Sequence, residues 1–329
     1  MRILTNTAKA IAGLLFTLTL LSGCALNMSV PVKDPVPSQV TYMKSGSPKP
    51  VALSFKDKQS EEDKAKILSG RIPMRLVYEG QPFDPVPWVA RHTIKEMTAR
   101  GLSVKLVVDE ANSTPVLIKR IHIENHRVSG FSPFVTFTSL RADVITTHGP
   151  QRITAYIKRG KVPVWSFDEI IDPTYNDPLA ILTKELAAKL NMALFGQMVS
   201  NEQVNALIAR INTDGSRDDA YLDVYQLGFS NNPIAISELV KLSSHSGEYV
   251  RLAALSSLGI LKANDQFGFL AARFESRGAK WQERAMALKA IGDLDTTQSR
   301  AYLEQQLVQF ENSKDTEALW FKEIILLYL

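Results

Sequence analysis

Eleven residues of this chain recur at an offset of 33. Arg251–Leu261 (RLAALSSLGIL) and Arg284–Leu294 (RAMALKAIGDL) agree at five positions, and Leu258 meets Ile291 at another. A unit this short cannot bury its apolar face alone, so copies must stack and share a core. Each copy follows a further helical stretch, 264–275 before the second and 233–242 before the first. One period outward in either direction lie DAYLDVYQLG from Asp219 and EALWFKEIILL from Glu317, which read as degenerate end copies. From Thr213 onward strand signals all but vanish. Residues 201–329 are therefore expected to form one helical array, with Leu319, Phe321, Ile324, Ile325 and Leu327 too apolar for a free tail.

The run Val250-Arg251-Leu252-Ala253-Ala254-Leu255, with Leu258 and Gly259, resembles HEAT-like repeats of the short PBS-lyase type. The resemblance implies an all-α solenoid in which small residues admit close helix approach, leucines fill the space between repeats, and Gly259 and Gly292 end helices. An acidic residue commonly stands just before the Val-Arg pair in such repeats. Here it is displaced or absent (Glu248, Lys280), so an inter-repeat acid–arginine ladder is not expected. Arg251 and Arg284 read as structural.

The N-terminus carries a different signal. Arg2 and Lys9 precede an apolar run from Ile11 to Leu21, followed by small residues, as in an export signal. Eleven residues cover about 17 Å as a helix, roughly half of a hydrocarbon core, so a membrane-spanning reading is poor there. Leu21-Ser22-Gly23-Cys24 resembles the lipobox of bacterial lipoproteins. This implies cleavage after Gly23 and a lipidated (palmitate-bearing) Cys24, with Ala25 and Leu26 pointing to the outer membrane and its periplasmic face. Two or more acyl chains anchor stably where one does not. Cys24 is the only cysteine, which excludes an intramolecular disulfide. Residues 24–50, with Pro31, Pro35, Pro37, Pro48 and Pro50, read as an extended linker reaching roughly 90 Å.

Between 51 and 200 strands and two amphipathic helices alternate. Short β-prone runs at 51–55, 74–78 and 103–108 flank a helix opened by Asp84-Pro85 and stopped near Gly101. Ile121 and Ile123 alternate with Arg120, His122 and Glu124, predicting one buried and one wet sheet face. Strands at 134–145, 153–157 and 162–167 continue a meander, with Arg159-Gly160-Lys161 as a turn. A helix from Asp177 then shows Leu179, Leu182, Leu186, Leu190 and Leu194 on one stripe. The helix-to-strand passage ARHTIKEMTARGLSV (90–104) and Arg141–Ile145 (RADVI) resemble the YajG-like outer-membrane lipoproteins, which implies a small α+β fold and no known catalytic residues. The expected fold class is thus an α+β domain, an antiparallel or mixed sheet with two helices, followed by an all-α HEAT-like solenoid.

Chemistry is sparse. The formal net charge of +4 drops to +2 without Arg2 and Lys9, which is weak evidence for any polyanionic partner, and no nucleic acid is expected. His122 and His126 lie about 13 Å apart along a strand, too far to share an ion without a bulge, so no metal and no cofactor is expected. Lys119, Arg120, Arg127, Arg152, Lys158, Arg159 and Lys161 read as solvated strand positions, or else as a patch for anionic glycolipid. Trp281 and Trp320 are expected in the core. Phosphate loops, nucleophile elbows and zinc-protease motifs are absent. The expectation is a non-catalytic scaffold that binds an envelope protein through its repeats, the alternative being a lipid- or glycan-binding auxiliary of an envelope transport system.

Overall fold

The computed structural model describes residues 28–43, 49–108 and 112–329. The export signal and Cys24 lie outside them. A mixed sheet domain comes first and a helical region follows.

Strand β1 (Met28–Pro31) leads into an extended strap, and β2 (Val51–Asp57) opens the main sheet. A short helix α1 (Glu61–Ala65), capped by the Ser60 hydroxyl, β3 (Leu68–Gly70), β4 (Met74–Tyr78) and β5 (Gln81–Pro82) follow. Helix α2 (Pro85–Ala99) starts with proline in its first turn, where a missing N–H costs nothing. Then come β6 (Val104–Leu106) and three thirteen-residue strands, β7 (Thr114–His126), β8 (Phe134–Thr146) and β9 (Gly149–Lys161). The main sheet runs β6-β2-β7-β8-β9, with β3 also on the β2 edge of β7. Its first pairings are parallel and β7-β8-β9 antiparallel, while β1, β4 and β5 make a separate small sheet.

After a short helix α3 (Asp168–Ile171) and a π turn, α4 (Asp177–Leu194) lies on the face formed by Leu140, Ala142, Ile153, Ala155 and Ile157. Eight helices complete the chain: α5 (Asn201–Asp214), α6 (Ala220–Gly228), α7 (Ile236–Leu242), α8 (Glu248–Ile260), α9 (Phe267–Glu275), α10 (Trp281–Leu294), α11 (Thr297–Phe310) and α12 (Thr316–Tyr328). They pair in sequence. The second helix of each pair forms an inner row in which α6 packs on α8, α8 on α10, and α10 on α12. Gly259 sits inside α8 rather than beyond its end; a Cβ there would come within 2.5 Å of the Ala290 Cα, so the glycine sets how closely α8 and α10 approach.

Other expectations change as well. The strap is no free linker: Val30, Val32 and Tyr42 are buried, and the Tyr42 hydroxyl donates to the Phe229 carbonyl at 3.0 Å. Buried apolar residues at its two ends tie the described stretch to the body, while Val36 and Pro37 between them stay exposed. Residues 162–167 are not a strand, because β9 continues through Arg159-Gly160-Lys161 to match the length of β8. The face predicted to be wet is covered by α10 and α12, which leaves His122 and Glu124 half-buried. An acid–arginine ladder does link the repeats, but to the following copy: Arg251 Nε meets Glu283 at 2.8 Å and Arg284 reaches Glu317 at 3.8 Å.

Candidate binding site

A cleft of about 270 Å³ opens where the C-terminal end of β7 and the start of β8 meet the N-terminal ends of α8, α10 and α12. Trp281 and Trp320 lie 4.6 Å apart between ring centroids and pack on Phe137 at 5.9 and 4.9 Å. His126 stands edge-on to Trp320 at 5.2 Å, and Tyr156 stacks under Phe137. The tryptophans are therefore half-buried walls rather than core residues. Their helices pack on the sheet lower down, while the wide indoles hold helix ends and strand ends apart. Tyr249 completes the wall and donates its hydroxyl to the Gly160 carbonyl at 2.5 Å. Lys158 pairs with Glu248 at 2.8 Å, with its Nζ over the Tyr249 and Trp281 rings at 5.5 Å. Burial pulls the Lys158 pKa below the ordinary lysine value, with Glu248 opposing it. Such a lining of rings, with Lys158 paired to Glu248 and Lys161 at the rim, suits an apolar ligand carrying a polar end.

Most of the predicted basic positions are clamps between sheet and helices rather than a solvated patch. Arg159 lies between the Tyr221 and Tyr249 rings, 4.1 and 3.9 Å from their centroids, and donates to the Pro173 carbonyl. Arg120 pairs with Glu323, and Arg152 donates to the Tyr328 and Leu329 carbonyls at the end of α12. Lys119 faces Asp143 at 3.9 Å. Arg127 donates to the carbonyls of Ser129 and Gly130 within its own loop, and Lys161 ends β9 at the cleft. His122 is engaged on both ring nitrogens, by Ser69 at 2.7 Å and Arg120 at 3.3 Å, and burial with the nearby Arg120 charge pushes its pKa down to about 4. Burial, joined by the Glu323 charge, raises the pKa of Glu124. His122 and His126 do not converge on a shared site, and among the described residues no three metal-ligating side chains do.

At the opposite end of the sheet lies a charged hub. Lys189 and Lys289 each contact both Glu185 and Asp293 at 2.6–2.7 Å, and Tyr328 donates to Asp293 at 2.9 Å. Lys189 also donates to the Thr154 carbonyl on the outer edge of β9, covering an otherwise open strand edge. A cleft of about 350 Å³ lies over it, but the hub's charges balance one another, which marks it as a joint between sheet and helices.

Sequence reasoning missed Phe137, Tyr156 and Tyr249. The available signal was an aromatic residue on the supposedly wet face of each of β8 and β9, together with Tyr249 just before the repeat motif.

No family model matches the chain, so neither the HEAT-like nor the YajG-like resemblance has one behind it, and no curated protein matches. Among solved structures, a Xanthomonas campestris protein described under the family DUF330 aligns with 49% of this chain and 91% of its own length, at 13% identity and a TM-score of 0.32. A second, described as an uncharacterized protein, aligns with 51% and 99%, at 9% identity and a TM-score of 0.31. Scores this low leave the functional reading to the chain's own geometry.

Proposed function

We propose that the chain is an outer-membrane lipoprotein, anchored through Cys24 and facing the periplasm, that serves as a non-catalytic accessory and holds an envelope lipid in the aromatic cleft. The helix pairs are read as a short HEAT-like solenoid, supported by the 33-residue period and the Arg251–Glu283 and Arg284–Glu317 links. In a solenoid of this kind the inner row would offer its surface to a partner. Here α10 and α12 lie against the sheet, and the opening left at their N-terminal ends is the cleft of Trp281, Trp320, His126 and Tyr249. That cleft carries the reading. Exposed Val128 and Val162 at its mouth favour an acyl chain over a glycan.

The alternative is a scaffold that takes an envelope protein through its repeats. A groove between the strap and α6, lined by Pro35, Val36, Leu222 and Gln226, favours it.

Organic extraction of the purified chain separates the two. Wild-type protein is expected to release non-covalent lipid, and the Trp281→Ala/Trp320→Ala double variant roughly tenfold less, the loss expected when two large apolar contacts go. Equal recovery would overturn the lipid reading, and a stable protein crosslink through α6 would establish the scaffold. Cys24→Ser is expected to abolish labelling by palmitate and membrane fractionation without changing the thermal melt. A wild-type chain that takes up no label overturns the anchor.

A further inference from the structure

The end of the sheet that carries the cleft also carries a cluster of exposed large apolar side chains. Register puts them together: His126 pairs with Val135 and Phe134 with Lys161, so the loops 127–133 and 162–167 leave the sheet side by side. Phe131 is 99% exposed and Trp165 83%, with Val128 and Val162 more than half exposed beside them. Neither loop contains an acidic residue, while Arg127 and Lys161 stand at their bases; Asp168 and Glu169 come only with the helix that follows.

Part of the backbone of the first loop is satisfied from within. The Ser132 hydroxyl accepts from the Val128 and Ser129 amides, Arg127 donates to the Ser129 and Gly130 carbonyls, and the Ser132 amide donates to the Ser129 carbonyl. In the second loop Glu169 accepts from the Trp165 amide. A loop whose polar groups are paired loses less on leaving water, the condition for seating apolar side chains in a bilayer interface.

The chain also joins the fold at this end. Met28 pairs with Met74, whose sulfur takes the Tyr175 hydroxyl at 2.7 Å, and Tyr175 packs on Phe134 at the start of β8. Arg71, three residues before Met74, donates its amide to Asn125 one residue from the end of β7. Three residues lie between Cys24 and Met28, so the four steps along the chain reach at most about 14 Å.

We infer that this end of the molecule, with Phe131, Trp165, Val128 and Val162 at its tip and Arg127 and Lys161 behind them, is a membrane-contacting surface that rests in the bilayer interface and turns the mouth of the aromatic cleft toward the lipid. The inference rests in part on the anchored-lipoprotein reading, since a Cys24 anchor holds the body within that short reach of the membrane. Trp is suited to the role because its ring sits well where one side is apolar and the other wet.

The test uses the full chain, purified and reconstituted into phosphatidylethanolamine/phosphatidylglycerol vesicles whose acyl chains are brominated near the headgroup. Tryptophan emission is followed in wild type and Trp165→Phe, with flotation and lipid labelling measured on the same samples. Strong quenching in wild type that falls at least twofold in Trp165→Phe is expected, with Phe131→Ser lowering the quenching of Trp165. A chain that is labelled and floats but whose quenching does not change in Trp165→Phe overturns the tip and leaves the anchor. A chain that carries no label yet is quenched through Trp165 overturns the anchor and leaves the tip. One that neither floats nor is quenched overturns both.

Discussion

Replacing Lys289 by methionine is expected to lower the unfolding free energy by about 3–5 kcal/mol, the range for breaking a buried ion pair by removing one partner. The Lys289 side chain is wholly buried and contacts Glu185, Asp293 and the Ser256 hydroxyl at 2.6–2.8 Å. Burial alone would pull its pKa down, but Asp293 and Glu185 together outweigh that and hold it above the ordinary lysine value. Methionine fills the volume and leaves two carboxylates facing one lysine. Adding Glu185→Leu restores the balance around Lys189 and Asp293, so the double variant should regain much of the loss in denaturant unfolding. The hub also sets an acid limb. Burial raises the Asp293 pKa, yet Lys189 and Lys289 bring it to about 2 from 3.8. A folded value below the unfolded one gives stability that is complete above the unfolded pKa and lost as pH falls through the folded one, here roughly 2 kcal/mol between about pH 4 and about pH 2. In Lys289→Met that limb should be shallower.

Removing Glu317–Leu329 is expected to leave no stable fold. Phe321, Ile324, Ile325 and Leu327 are buried, and at about 1.5–3 kcal/mol for each large apolar side chain their loss rivals the whole stability of an ordinary domain, about 5–15 kcal/mol. The deletion also takes the Tyr328 hydroxyl from Asp293, the carbonyls from Arg141 and Arg152, and Trp320 from the cleft. Aggregation, or loss of the cooperative thermal transition, should follow. A truncated chain that melts like the wild type would mean that α12 contributes nothing to the joint between helices and sheet.

The helical half was readable because its core lies between neighbours in sequence, and a 33-residue period records those contacts directly. Helices α2 and α4 were equally plain, each having proline in its first turn and a single apolar stripe. Alternation in β7 told which residues share a face, but not that a later part of the chain would cover the polar one. The better indicator was β8, where Val135 and Phe137 on one face oppose Thr136, Thr138 and Leu140 on the other and all are buried, as in strands covered on both sides. The clamping roles of Arg152 and Arg159 depend on partners 176 and 14 residues away, and no local pattern encodes such pairings. The strap misled because prolines speak against regular structure and say nothing about burial. As for the cleft, its two tryptophans were visible and their opening was not, since it arises only where the ends of three helices meet the end of a sheet.

The most direct test of the lipid reading is crosslinking in intact cells grown with a diazirine-bearing fatty acid, followed by peptide mapping of the purified chain. Lipid adducts on the peptides that carry Trp281 and Trp320, lost in the Trp281→Ala/Trp320→Ala variant, are expected. Adducts absent from those peptides, with protein crosslinks concentrated on α6 and the strap, would contradict it.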